Sequence, residues 1–161
     1  MKRYKWHIIL LNFIVLLVYF NYSVVKKEEL LKNGRLVLLK LVPVDPRSLM
    51  QGDYMALRYD ISRGFSETLS KRGYCVVRLD HNGVAVKVRF QDGLTPLDEG
   101  EYLIGYTLTN GWSINIGAES FFFQEGHAER YEKAKYGGVK IDDKGNSLLV
   151  GLYDDQFQKI E

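Results

Sequence analysis

The hydrophobic pattern divides the chain into one unbroken apolar run and a series of short alternating ones. Residues 8–25, IILLNFIVLLVYFNYSVV, pass without a charge, close to the roughly 20 residues an α-helix needs to cross a bilayer. Trp6 lies near one end and Tyr19 and Tyr22 near the other, where amphipathic rings favour the headgroup zone. The run predicts a membrane-spanning helix between a basic tail, residues 1–7, and a short amphipathic stalk, residues 26–34, that ends at Gly34. A cleaved signal peptide begins the same way, but residues 22–25 are bulky and lead into Lys26 and Lys27 with no small-x-small cleavage site. A buried core helix is a third reading, disfavoured by the length of the run.

From residue 35 onward, apolar-alternating runs are separated by turn signals every eight to twelve residues, the cadence of a β sandwich or barrel. The expected strands are 35–42, 53–61, 74–80, 84–90, 102–108, 112–116, 119–123, 139–142 and 147–152. Around Asn82-Gly83 a two-residue turn pairs Leu79 with Val86, Val77 with Val88 and Cys75 with Phe90 on one face. It also sets Arg78 opposite Lys87, an unfavourable like-charge pair, so a four-residue loop of the same parity stays open. Around Asn110-Gly111 a three-residue loop pairs Leu108 with Trp112, Tyr106 with Ile114 and Ile104 with Ile116. Lys144-Gly145 lets Ile141 meet Leu148 and Val139 meet Val150. One helix is expected in the domain, over 127–135, with Ala128, Tyr131 and Ala134 on one side, a Glu129–Lys133 pair, and Gly137-Gly138 as its stop. No internal repeat or low-complexity tract is visible. The expected architecture is a mostly β chain, residues 35–161 forming one antiparallel barrel- or sandwich-like domain behind one transmembrane helix.

Composition narrows the partners. A formal net charge of +2 is too small to suggest nucleic acid. A lone cysteine, Cys75, excludes an internal disulfide and a multi-thiolate zinc cluster, and no metal or cofactor is expected. Three basic residues precede the apolar run and Lys26, Lys27 and Lys32 follow it, so the positive-inside rule barely decides orientation. A short basic tail before a large domain is the layout of a signal anchor. That layout places the N-terminus in the cytoplasm and the domain outside it.

The densest signal is PVDPRSLMQGDYMALRY, residues 43–59. Gly52, Asp53, Tyr54, Leu57 and Tyr59 resemble the motif of the bacterial membrane-anchored GDYxxLxY family. Pro43, Asp45, Pro46 and Arg47 look like its upstream PVDPR element, and Glu119 to Phe122 with Glu125-Gly126 like its downstream ESFF-EG element. The resemblance covers nearly the whole chain. It implies a single membrane helix and a multi-pass membrane partner, and it brings no catalytic residues to carry over.

A scaffold reading explains the motif without a ligand. Asp45 caps a helical turn, Pro46 suits its first position, and Gly52 ends it at positive φ. In the following strand Asp53, Met55, Leu57, Tyr59 and Ile61 face the core while Tyr54, Ala56, Arg58 and Asp60 face out. A functional reading gathers Asp45, Arg47, Asp53, Tyr54, Tyr59, Glu119, Ser120 and Glu125 around a cleft for a polar or cationic ligand. A weaker alternative is a membrane-anchored hydrolase using Ser120 with a carboxylate or His127, although no GxSxG or HExxH pattern is present. A Gly-Asp entering a strand also occurs in signal peptidases, whose Ser and Lys constellation is missing here. His7 and His81 read as solvated, and Lys71, Arg72, Arg78, Lys87 and Arg89 as a basic outer face open to anionic headgroups.

Overall fold

The computed structural model describes residues 3–42, 54–64, 69–109, 113–124 and 126–160 of the chain. Helix α1, Arg3–Asn33, is 31 residues long, about 46 Å at 1.5 Å per residue. That length exceeds a roughly 30 Å hydrocarbon core, so the expected stalk is the continuation of the same helix. None of its apolar window is buried against the domain, which removes the core-helix reading. The helix has the length and composition of a single-pass anchor or a signal sequence.

Its C-terminal end is fastened to the domain. Leu30 is buried, Gly34 donates its N–H to the Leu30 carbonyl at 2.9 Å, and the Lys140 ammonium donates to the carbonyls of Leu31 and Lys32. The last carbonyls of a helix have no partner within it and carry the negative end of its dipole, so a lysine there satisfies both.

The domain is antiparallel throughout its strand ladders. Strands β1 (Arg35–Lys40), β8 (Tyr136–Ile141) and β9 (Ser147–Tyr153) form a sheet in the order β1-β8-β9. Strands β3 (Arg72–Leu79), β4 (Ala85–Gln91), β5 (Glu101–Thr109) and β6 (Ser113–Asn115) form another in the order β4-β3-β5-β6. Strands β2 (Tyr54–Ala56) and β7 (Ser120–Phe122) make a small two-stranded sheet. Val37, Leu39, Cys75, Val77, Ile104, Val139 and Leu152 fill the shared core. Each large apolar side chain that leaves water there contributes roughly 1.5–3 kcal/mol.

Two hairpins set the register, and both differ from expectation in the same way. Asp80 pairs with Val84 around a three-residue loop in which Gly83 has φ 77°, and the Asp80 carboxylate accepts the N–H groups of Asn82 and Val84 at 2.8 and 2.9 Å. Asp142 closes onto Asn146 likewise, with Gly145 at φ 77° and the Asp142 carboxylate accepting from the N–H groups of Lys144 and Asn146. A glycine in the left-handed region and an aspartate bonding the backbone ahead of it are what this loop requires. One residue is thereby added to each turn, so Leu79 faces Ala85 and Ile141 faces Ser147 in place of Val86 and Leu148. A bulge then takes up the extra residue, Val88 in one hairpin and Val150 in the other. Cys75 meets Phe90 as expected beyond the bulge, whereas Val86 and Val88 are exposed. Arg78 no longer faces Lys87 and lies opposite Val86.

The β5–β6 hairpin keeps the expected apolar face but slides by one pair, with Leu108 opposite Ile114 and Thr109 opposite Ser113. The expected helix shortens to one turn, α2, Ala128–Tyr131. Gly137-Gly138 do not stop a helix; they lie inside β8, because rings occupy the space where their side chains would stand. A Cβ on Gly137 would meet the Tyr59 ring at 2.8 Å, and one on Gly138 would run into the Tyr153 ring.

Candidate functional site

The site grows from the alternation between residues 54 and 61. Met55, Leu57, Tyr59 and Ile61 are all buried, Ala56 is half-buried, and Arg58 and Asp60 are exposed, so the period-two reading of the motif strand holds over residues 55–61. Its regular ladder ends at Ala56 and a 3₁₀ turn, Asp60–Ser62, follows. Strand β2 pairs with β7, placing Tyr54 opposite Phe122, Met55 opposite Phe121 and Ala56 opposite Ser120. The ladder extends through the Leu57 N–H, which donates to the Glu119 carbonyl at 2.8 Å. Two segments some sixty residues apart, YMALRY and ESFF, therefore form one piece of structure.

Tyr59 is the strongest rivet. Its ring is fully buried against Gly137, and its hydroxyl donates to the Ala118 carbonyl. Burial, with the Glu119 carboxylate as a smaller cause, pushes the Tyr59 phenol well above its ordinary value, so it stays a proton donor. The Glu119 carboxylate accepts the Ile116 N–H, Asn115 caps the Gly117 N–H at 2.9 Å, and the Ser147 hydroxyl donates to the Ile116 carbonyl. Residues 116–118 thus have backbone groups tied down by Tyr59 beyond the end of β2, Glu119 just before β7, Asn115 in β6 and Ser147 in β9. Tyr59 and Glu119 act here as scaffold.

The outward face of β2–β7 differs. Phe121 packs inward, its ring 4.9 Å from that of Tyr131, while Phe122 is 74% exposed and Ser120 is exposed beside it. Adjacent phenylalanines in a strand point to opposite faces, so one of the pair had to stand outside; that signal in the sequence identified no site residue, although Phe122 belongs to the motif. Asp45, Arg47, Asp53 and Glu125 lie outside the described residues, as do Pro43, Pro46 and Gly52. Tyr54 is placed by its backbone pairing. Among the described residues Ser120 makes no hydrogen bond to His127 or to a carboxylate, and His127 stands at the start of α2.

A second polar cluster escaped the sequence reading. Glu101 at the start of β5 is buried, and its carboxylate receives the Arg89 guanidinium at 2.8 Å, the Arg78 guanidinium at 3.3 Å and the Asp98 N–H at 3.1 Å. Desolvation alone would raise Glu101; the Asp98 N–H and the two guanidinium groups outweigh it and hold the carboxyl below its usual range. Arg78 and Arg89 are thereby engaged and do not form a free basic face. Cys75 is buried, which pushes its thiol up to about 12 and leaves it unreactive near neutrality.

Fold and site together define a small antiparallel β domain that follows a long apolar N-terminal helix and fastens a tyrosine-led strand to a phenylalanine pair. The sequence model of the GDYXXLXY protein family matches residues 16–152, the second half of the helix and nearly all of the domain, and the chain belongs to that family. No curated protein and no solved structure is significantly similar to it.

Proposed function

We propose that the chain is a single-pass membrane protein whose β domain, outside the cytoplasm, is an interaction module for a membrane partner or envelope ligand. The observation that carries this reading is the outward face of β2–β7. The two motif elements are joined by the Tyr59 hydroxyl on the Ala118 carbonyl and by the Leu57 N–H on the Glu119 carbonyl, and they expose the Phe122 ring. A large aromatic held on a rigid, tethered surface is the kind of residue that anchors protein interfaces. Asp45, Arg47, Asp53 and Glu125, which lie outside the described residues, are the polar residues this reading adds to partner binding from the same sequence elements. A short basic tail ahead of one apolar helix and a large domain, the layout of a signal anchor, supports an N-terminus in the cytoplasm.

Co-purification in mild detergent tests the surface. Phe122→Ala and Tyr54→Ala, with unfolding midpoints close to the wild type, are expected to lose partners that the wild type retains. Identical partner lists would contradict the reading. Alkaline extraction tests the tether separately: the full chain is expected in the membrane pellet, and a soluble species trimmed before Lys26 would contradict anchoring.

A further inference from the structure

Where α1 meets the domain the two are separated by a cleft of about 1110 Å³. Ser23, Lys26, Lys27 and Leu30 line it from the helix, their three- and four-residue spacing placing them on one face, and Arg72 and Lys144 line it from the domain. A helix packed against a domain presents apolar side chains on the facing stripe. Here only Leu30 is buried, and the other helix residues on the cleft are polar or charged: Ser23, Lys26, Lys27, Glu29 and Asn33.

The level of the cleft is fixed by the helix. The uncharged span ends at residue 25, and one turn separates Tyr22 from Lys26, whose ammonium sits 4.6 Å from the Tyr22 ring centroid. Aromatic and lysine side chains at a span's end mark the headgroup zone. A cleft lined by Ser23 and Lys26 therefore opens among headgroups.

Its charge is mixed. Five cations line it against four carboxylates. Arg35 is engaged over the Tyr102 ring at 4.8 Å, and Asp142 is consumed by the N–H groups of its own turn. Among the described residues Lys27, Arg72 and Lys144 form no ion pair, and neither do Glu29, Asp92 and Asp143, which also line the cleft, Glu29 from the helix and the two aspartates from the domain. Cations alone would suit any phosphate, whereas cations beside unpaired carboxylates suit a group carrying a phosphate and an ammonium a few ångströms apart. We propose that this cleft binds the phosphoethanolamine headgroup of a bilayer phospholipid, the phosphate against Lys27, Arg72 and Lys144 and the ammonium against Asp92 or Asp143. The inference rests on α1 spanning the bilayer and is independent of the Phe122 surface.

Native mass spectrometry of the full chain in detergent, titrated with phosphatidylethanolamine, phosphatidylglycerol or inorganic phosphate, tests it. The wild type is expected to retain phosphatidylethanolamine preferentially. The triple variant Lys27→Gln, Arg72→Gln, Lys144→Gln is expected to lose about tenfold or more of that affinity, while Lys133→Gln, in the turn after α2, loses none. Asp92→Asn with Asp143→Asn should keep lipid binding but level the two lipids, a ratio read within one folded protein. Equal lipid binding by wild type and triple variant would overturn the proposal. So would displacement of the lipid by millimolar inorganic phosphate, which would make free phosphate the ligand. Loss of a co-purifying protein from the triple variant with lipid binding unchanged would assign the cleft to a protein partner and overturn it too.

Discussion

The β3–β4 and β8–β9 hairpins are built on one plan and put to different uses. Asp80, Gly83 and Val88 in the first stand at the same spacing as Asp142, Gly145 and Val150 in the second, where they cap the turn, supply the positive φ and form the bulge. Each turn glycine also offers its carbonyl across the core, Gly83 to the N–H of Leu38 at 2.9 Å and Gly145 to the N–H of Gly105 at 2.8 Å. The surroundings diverge. The space beside Gly83 is open, whereas a Cβ on Gly145 would meet the Tyr74 ring at 2.8 Å and the Gly105 nitrogen at 3.1 Å. The cation two residues before the aspartate diverges as well: Arg78 serves the buried Glu101 carboxylate, and Lys140 serves the last carbonyls of α1. Local turn chemistry fixes the hairpin, and tertiary neighbours decide what it holds.

The comparison is broken most easily at the glycines. Alanine at either position costs about 1–2 kcal/mol for its left-handed backbone. At Gly145 the crowding against Tyr74 adds about 1–3 kcal/mol more, which Gly83→Ala escapes. Urea unfolding of the two variants measures the difference, and equal midpoints would mean that the two turns are packed alike.

The cations sharpen it next. Glu101 has a folded pKa below its unfolded value, so its contribution to stability is present above the unfolded carboxylate range and is lost as pH falls through the folded pKa. Glu101→Gln should flatten the acid limb of a stability–pH profile. Lys140→Gln should leave that limb unchanged, since peptide carbonyls do not titrate there, and should weaken the helix junction by about 0.3–1 kcal/mol. An acid limb altered by Lys140→Gln would show that the two cations share one network.

The smallest expected effect tests the register itself. With Val86 outside, Val86→Thr should cost no more than about 0.5 kcal/mol, against roughly 1.5 kcal/mol or more if it faced the core beside Leu79. A large loss would restore the two-residue turn.

Strand positions were legible because their signals are local. All nine expected strands are present, and the inward set Met55, Leu57, Tyr59 and Ile61 follows from alternation alone. Register was less legible, because it depends on whether Asp80 and Asp142 join their turns through side-chain bonds, and Asn82-Gly83 equally suits a tighter loop. Gly137-Gly138 misled because the rings that need their space belong to Tyr59 and Tyr153, and Tyr59 is distant in sequence. The motif read as scaffold or as site, and the structure assigns Tyr59 and Glu119 scaffold contacts while leaving Phe122 exposed. Glu101 was missed because its partners Arg78 and Arg89 lie on other strands.

A photo-crosslinking side chain placed at Phe122 or at Val86, two exposed positions on different sheets, tests the proposed surface most directly in intact membranes. The account predicts a discrete crosslinked partner from position 122 and none from position 86. Crosslinks of equal yield and pattern from both positions, or none from 122, would contradict it.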